Sequence, residues 1–442
     1  MTEDARWWNL FAGLPPAVQV VLWIALAVTL TSFWSIFALA WAGRRTRRLR
    51  AGERSPDRPG ADDFLWVFIV PALDEEVTIA DSVARLTAAR AARSIVLVVN
   101  DGSTDGTGPI LSGLDAPNLR VLTRTPPEAR LGKAAALNEA YRFVLEDVLA
   151  EPEFAGMGHD RVILGIVDAD GRLEPHAPDR VAWHFADPKV AGVQVLVRIY
   201  NANHFLTWAQ NVEFSSFGLV YQAGRSAWGT ANMGGNGQFN RLSALESIAD
   251  DEGPWRHRLT EDQDLGVRLV QSEWTGAQEN GAAIDQQGVP QLRRLFRQRV
   301  RWAQGAWQAL GMVGGVGRMH RGFVARTDAV YYLLTPLLLT IAGVDFFATI
   351  VLAIAYQVPV IPATIGFALL FIAFGFGPGF LALYFRRRGV WGFLSSLVIA
   401  LPYTAYTWII FPVYFVSLAR HWSGRTGWTK TAREAIEPAP AA

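Results

Sequence analysis

The sequence predicts an α/β domain with a largely parallel, doubly wound sheet, attached to a bilayer by apolar helices that precede and follow it. Three observations carry this expectation. Short apolar runs at 64–70, 94–99, 161–167 and 190–197 are flanked by polar turns, the pattern of strands buried on both faces of a parallel sheet. Helical stretches at about 75–92 and 133–149 fall between them, and that alternation specifies a doubly wound fold. Long uncharged stretches lie toward both ends: residues 17–42 contain no ionisable group, and 329–356, 364–385 and 391–419 are apolar apart from Asp345.

Each element has its own justification. Residues 17–42 exceed the roughly 20 apolar residues that span a bilayer. An acidic leader (Glu3, Asp4) and the following Arg44, Arg45, Arg47, Arg48 and Arg50 place the N-terminus outside and the chain from residue 44 in the cytoplasm. A cleaved signal peptide has the reverse charge order. Segments 329–356 and 364–385, broken around Pro359 and Pro362, read as a hairpin returning to Arg386, Arg387 and Arg388. The stretch 391–419 carries Pro402 and Pro412 and leads into His421, Arg425, Lys430 and Arg433. Three full spans put that tail outside, whereas its basic residues put it inside; a broken or re-entrant segment between the prolines reconciles the two. Asp345 either lines a polar path or sits near the headgroups. The expected organisation is thus a first segment and span (1–43), a basic linker (44–63), a cytoplasmic domain (64–290), amphipathic interfacial helices (291–328), a membrane region (329–419) and a basic tail (420–442). The location is a multi-pass protein of the plasma (inner) membrane.

Composition narrows the chemistry. Charged residues make up 18% of the 442, hydrophobic ones 51%, and the net charge is +1, which is not the balance of a nucleic-acid binder. Zero cysteines exclude disulfides, zinc–thiolate sites and thiol nucleophiles. The seven histidines show no metal-ligand spacing, and no G-x-S-x-G elbow occurs.

The informative polar residues sit at strand ends, where ligands of such sheets bind. The first run leads into Asp74-Glu75-Glu76, and the second into Asn100-Asp101-Gly102-Ser103-Thr104-Asp105-Gly106. Asp101 can accept hydrogen bonds from a base or ribose, and Asp105 can cap the following helix. Gly132-Lys133 opens a helix without forming a Walker A loop, since Pro127 replaces the first glycine and Ala134 follows the lysine. Asp168-Ala169-Asp170 ends an apolar strand with two carboxylates, which suit a divalent cation that also takes phosphate oxygens. Thr260-Glu261-Asp262 opens a helix, with Thr260 as an N-cap and the acids favoured by the helix dipole as the structural alternative. Gln298-Arg299-Val300-Arg301-Trp302 lies on an amphipathic helix that also carries Arg293, Arg294 and Arg297, as an inner-leaflet surface helix does.

In this order the motifs VPALDEE (70–76), NDGSTDGT (100–107), GKAAALN (132–138), DAD (168–170), TED (260–262) and QRVRW (298–302) resemble those of inverting family 2 glycosyltransferases with a GT-A fold. The similarity is greatest to membrane-embedded processive synthases of cellulose, hyaluronan, chitin and poly-N-acetylglucosamine. Gly427-Trp428-Thr429-Lys430-Thr431 is also similar to the W-x-K-T ending of some members, which favours a cytoplasmic C-terminus. The resemblance implies a Rossmann-like, mostly parallel sheet and a UDP-sugar donor. Asp74 or Glu75 and Asp101 would hold the uridine, Lys133 the nucleotide side, and Asp168 with Asp170 the diphosphate and its Mg²⁺ or Mn²⁺. Asp262, with Glu261 beside it, would be the catalytic base. Gln298 and Arg301 would bind the donor diphosphate, and Trp302 and Asn236 the acceptor. Two departures stand out: Asn100 replaces the first Asp of the commoner D-D-G-S pattern, and the membrane region is smaller than in cellulose synthases, which bears on translocation of a long chain.

The expected reaction transfers a hexose from a UDP-sugar to a growing β-linked polysaccharide at the membrane. The alternative is transfer of one sugar to a membrane lipid, and a non-catalytic scaffold is opposed by the presence of Asp168, Asp170 and Asp262. The partners implied are a nucleotide-sugar donor, a carbohydrate or lipid-linked acceptor and the bilayer, with no nucleic acid. Sugar identity, linkage, oligomeric state and any export partner are not written in these residues.

Overall fold

The computed structural model describes residues 15–50, 58–356, 380, 384 and 389–425. The acidic leader, most of the expected 364–385 span, Arg386 to Arg388 and the Trp428 to Thr431 ending lie outside the described residues. Helix α1 (Pro16–Arg50) runs past the expected span into its arginine cluster. The domain then begins with β1 (Leu65–Ala72), α2 (Ile79–Thr87), β2 (Ser94–Asp101), α3 (Thr107–Ser112), β3 (Leu119–Arg124), α4 (Lys133–Glu146) and β4 (Val162–Ile166). It continues through β5 (Arg172–Leu173), α5 (Ala177–Ala182), β6 (Val190–Ile199), α6 (Phe205–Ser216), α7 (Ala223–Trp228), β7 (Gln238–Arg241) and α8 (Leu242–Glu246). Helix α9 (Glu261–Gln271), β8 (Thr275–Gln286) and α10 (Leu292–Leu310) complete it, before α11 (Phe323–Tyr356), α12 (Val390–Thr407) and α13 (Ile410–Trp422).

The strands form one sheet in the order β3-β2-β1-β4-β7-β6-β8-β5. Strands β3, β2, β1 and β4 are mutually parallel, as their alternation with helices dictates. Beyond β4 the sheet becomes mixed: β7 pairs antiparallel with both β4 and β6, and β5 pairs antiparallel with β8. Parallel pairing thus holds through β3-β2-β1-β4 and again between β6 and β8, with β7 and β5 joined to it antiparallel. Strand β1 shows why its sequence is apolar throughout. Trp66, Phe68 and Val70 enter the core on one face, while Leu65, Val67 and Ile69 enter the core on the other, against α4 and α9.

Among the described residues three helices are long and apolar enough to cross a membrane: Pro16–Arg45, Phe323–Asp345 and Val390–Trp422. They keep large apolar side chains exposed, among them Trp34, Trp41, Val351, Trp391 and Val398, which suits lipid contact. The last is interrupted at Trp408 and Ile409, between Pro402 and Pro412. Asp345 lies at the far end of the second apolar stretch. Close contacts fix the first helix to the domain: a β-carbon on Gly224 of α7 would lie 2.6 Å from Leu39 Cα of α1. A buried ion pair joins α7 to α11, with Arg225 Nε 2.8 Å from Asp328 Oδ2.

Candidate active site

At the carboxyl ends of β1, β2 and β4 the loops and helices enclose a cavity of about 540 Å³. The sheet edge contributes Glu75, Asp101, Lys133, Asp168 and Asp170 to its wall, and Asn236 lies beside them. Helix α9 adds Glu261 and Asp262; α10 adds Gln298, Arg301 and Trp302. Tyr332 and Thr335 of α11 and Ile410 and Tyr414 of α13 close the remaining side, so the cavity reaches the membrane helices. All the site residues expected from sequence border this space except Asp74.

Asp74 sits in the left-handed region (φ 52°) and turns toward the neighbouring loop. Its Oδ1 accepts from the Thr104 N–H at 2.7 Å and from Arg130 Nη2 at 3.2 Å. Of the Asp74/Glu75 alternative, Glu75 is the residue at the cavity wall. Asp101 is buried against Arg124, whose Nη1 donates to Oδ1 at 2.6 Å, and the Arg130 N–H donates to the same oxygen at 3.0 Å. Its charge is thereby compensated while its acceptor capacity persists.

Lys133, the first residue of α4, ties three motifs together. Its Nζ donates to Asp168 Oδ1 at 2.5 Å and to the Gly235 carbonyl at 2.8 Å, and lies 3.9 Å from Glu261 Oε1. Burial disfavours the Lys133 charge, but Asp168 and Glu261 outweigh it and hold the pKa above the ordinary lysine value. Asp168 and Asp170 share a site because the chain leaves the pleat immediately after β4, where the Gly171 N–H donates to the Asp168 carbonyl at 2.7 Å. A β-carbon on Gly171 would stand 2.8 Å from that oxygen, so the turn demands glycine. Asn236 accepts from the Asp168 N–H at 3.1 Å and donates to Gln286 Oε1 at 2.9 Å; its amide is engaged by the turn itself. Asp170 is buried and accepts from the Gln287 N–H at 2.9 Å.

Asp262 enters from the first turn of α9. Its Oδ1 accepts from the Gln263 N–H at 2.8 Å, and a β-carbon on Gly235 would lie 3.1 Å from its Oδ2. Residues 168 and 262 are thus brought together across the Gly235 backbone. Burial pushes the Asp262 carboxyl above the ordinary range, and burial with the Asp262 charge pushes Glu261 up to about 7. Thr260 occupies the N-cap position without a side-chain cap; its hydroxyl donates instead to Gln263 Oε1 at 3.3 Å.

Several cavity residues carry no strong sequence signal. Glu213 and Phe214 of α6 line the wall, as do Arg299 of α10 and Tyr332. Arg299 lies inside QRVRW, but its contact with Trp302, 4.2 Å from guanidinium to ring centroid, is a helical-face relation visible only once the helix is built. Glu213 was findable as the lone acid of a largely apolar helix.

The donor chemistry of this wall fits a divalent ion of the Mg²⁺ or Mn²⁺ type. Asp168 and Asp170 supply hard oxygens, and the Lys133 ammonium on Asp168 shows that positive charge is accommodated there. Among the described residues no group of three or more His, Asp or Glu is arranged to hold an ion alone. Such a metal would take further ligands from a bound diphosphate, as Mg²⁺ in nucleotide sites does.

Comparison with known proteins agrees with this geometry. The model of the glycosyltransferase-like family 2 matches residues 66–305. Over 283 residues the chain is 31% identical to a β-monoglucosyldiacylglycerol synthase of Synechocystis, covering 62% of this chain and 55% of that one. Over 268 residues it is 25% identical to the poly-β-1,6-N-acetyl-D-glucosamine synthase of Staphylococcus aureus, covering 60% of each. The chain spans little more than half the length of the first of these relatives. The fold matches that of a Pyrobaculum calidifontis mannosyltransferase solved with GDP-mannose and Mn²⁺, at a TM-score of 0.55 and 19% identity over 92% of this chain and 99% of that one. With a family match that begins inside β1 and ends within α10, enclosing the carboxylates of the cavity, the chain belongs to the family 2 glycosyltransferases, enzymes that use nucleotide sugars.

Proposed function

We propose that this enzyme transfers one hexose from a UDP-sugar, with inversion, to the hydroxyl of a neutral membrane lipid of the diacylglycerol class. The observation that carries the reading is a single cavity bounded by the nucleotide-edge loops on one side and by membrane-helix residues Tyr332, Thr335, Ile410 and Tyr414 on the other. An acceptor headgroup can meet the donor there without its acyl chains leaving the bilayer. Similarity to the Synechocystis glycolipid synthase supports the same class. Extension of a β-linked polysaccharide uses identical machinery, and the Staphylococcus relative favours it.

The roles follow from the chemistry of each side chain. Asp101, its charge balanced by Arg124, suits a neutral donor such as the uracil N–H, with Glu75 beside it. Asp168 and Asp170 would hold the metal, which when bound offsets charge on the departing diphosphate. Arg301 grips phosphate oxygens through its fork of N–H groups, Gln298 assists, and Lys133 answers the leaving-group charge from the opposite wall. Asp262 takes the acceptor proton as the hydroxyl attacks the anomeric carbon, and an α-linked donor gives a β-linked product in one in-line displacement. Asn236 is a positioning residue for the Asp168 turn rather than an acceptor ligand. Trp302, held edge-on to Phe214 with ring centroids 6.1 Å apart, offers its face to the acceptor. The catalytic domain faces the cytoplasm, where nucleotide sugars are made.

The test is transfer from radiolabelled UDP-sugars to dioleoylglycerol by the purified full chain. The expected product is a monoglycosyl lipid, formed without a polymer. Asp262→Asn should lose roughly 10²–10⁴ in turnover while still binding UDP. A labelled polymer in place of the lipid would transfer the reading to the polysaccharide class, and full turnover by Asp262→Asn would remove the base.

A further inference from the structure

On the wall nearest α12 the cavity carries a second polar group that the displacement itself does not use. Arg299 Nη2 donates to Glu213 Oε2 at 2.7 Å, and the Tyr406 hydroxyl of α12 donates to the same oxygen at 2.7 Å. Both protein bonds to this carboxylate use Oε2. The Arg299 side chain is 5% exposed and that of Glu213 35%. Arg299 Nη1 is buried and has no hydrogen-bond partner, although Arg299 and Glu213 both border the cavity. A buried guanidinium N–H with no acceptor is an expensive arrangement for a protein to keep unless a ligand completes it. The same guanidinium lies over the Trp302 ring, so whatever it binds is next to the acceptor platform.

Charge defines the chemistry of that ligand. Glu213 and Arg299 cancel and Tyr406 is neutral, while the other ionisable groups on the cavity wall toward the reacting centre include the carboxyls of Glu261 and Asp262 and the cations Lys133 and Arg301, which the donor diphosphate engages in the reading above. A group with both donor and acceptor capacity and no charge satisfies Nη1 and the second Glu213 oxygen together. A second phosphate would satisfy the guanidinium but meet the Glu213 carboxylate with Lys133 and Arg301 already engaged by the donor.

We propose that Glu213 and Arg299, braced by Tyr406, form a second hydroxyl-binding subsite that admits neutral polyol headgroups, glycerol or pyranose, and rejects phosphorylated ones. This rests on the neutral-lipid acceptor reading above and adds that lipids keeping a hydroxyl beside the attacking one, as 1-oleoylglycerol does, bind more tightly than a diacylglycerol, which has only the one. The test compares 1-oleoylglycerol with 1-oleoyl-lysophosphatidate, which share a free hydroxyl and differ by the phosphate, and adds a short β-linked glucan as the sugar arm. The wild-type enzyme should prefer the neutral lipid. Glu213→Gln leaves the Arg299 charge uncompensated, so the preference should shift toward lysophosphatidate by about tenfold or more, while UDP affinity stays within about twofold. Arg299→Lys, which keeps the charge but not the fork, should raise the KM for the neutral acceptor more than it lowers kcat. A glucan used in place of the glycerolipid, with the same response to both variants, would assign the subsite to sugar. An unchanged acceptor preference in Glu213→Gln together with an unchanged KM in Arg299→Lys overturns the subsite and leaves the acceptor reading standing. Absence of transfer to any hydroxyl acceptor by the wild-type enzyme overturns the reading beneath it.

Discussion

Glu261 is the residue at which environment and chemistry are most tightly linked. It is buried beside Asp262, and its carboxyl is held up at about 7 rather than 4.5 by that burial and by its neighbour's charge. A carboxyl whose pKa is higher in the folded than in the unfolded chain binds its proton more tightly when folded. Its stabilising contribution is complete below the unfolded value and disappears as the pH rises through the folded one. The wild-type protein, without donor or divalent ion, should therefore lose stability between about pH 5 and about pH 8 through this group. Glu261→Gln removes that component, and its Tm relative to wild type should rise across the interval. Thermal melts of the two proteins at matched ionic strength check this, and parallel curves would show that Glu261 titrates as an ordinary carboxylate. The Lys133 ammonium 3.9 Å away works in the opposite direction, so Lys133→Met should move the Glu261 titration still higher.

At the scale of elements, activity depends on α10 meeting the start of α9. Gly305 of α10 lies so close that a β-carbon there would collide with the Thr260 hydroxyl and methyl. Glycine inside a helix sacrifices some stability, which is accepted here because it brings QRVRW against the turn bearing Asp262. Gly305→Ala should push α10 outward and lower kcat by about 10²-fold, the order expected for an ångström-scale misplacement. Thr260→Gly removes the colliding hydroxyl, methyl and β-carbon together, so the double variant should recover most of the loss. Equal turnover in Gly305→Ala and wild type would show that the approach is incidental. Elements also explain what could be read in advance. Strands β1, β2, β4 and β6 were legible because both of their faces are buried, which forces an apolar run. Strand β8 reads TGAQENGAAIDQ and was not legible, since its strand character comes from pairing with β6 across a bulge rather than from its own side chains. The site divides in the same way. Asp168, Lys133 and Asp262 stand at strand ends and helix starts, positions that sequence order already fixes. The Glu213–Tyr406 bond joins residues 193 apart, in helices whose meeting depends on how the membrane region folds back.

For the whole molecule, α11 and α13 close one side of the cavity, and on the proposed reading this makes the bilayer part of the active site. The apolar helices expose Trp34, Trp41 and Trp391 at 65%, 57% and 84%, side chains that favour the lipid–water boundary. Arg44 and Arg45 at the end of the first span favour the cytoplasmic leaflet, the basis for the proposed placement of the sheet and the nucleotide edge on that side. The protein contains zero cysteines, so a single introduced thiol reports its own side of the membrane without background. Ser112, exposed at the end of α3 and far in sequence from every membrane helix, suits that purpose. Ser112→Cys should resist a membrane-impermeant maleimide in intact cells and react once the membrane is permeabilised, with glycosyl transfer unchanged in both states. Labelling of intact cells would place the cavity on the exterior. The donor supply, the role of the arginine cluster and the route by which a lipid headgroup reaches Asp262 would then all have to be reassigned together, because each depends on the catalytic domain lying on the cytoplasmic side.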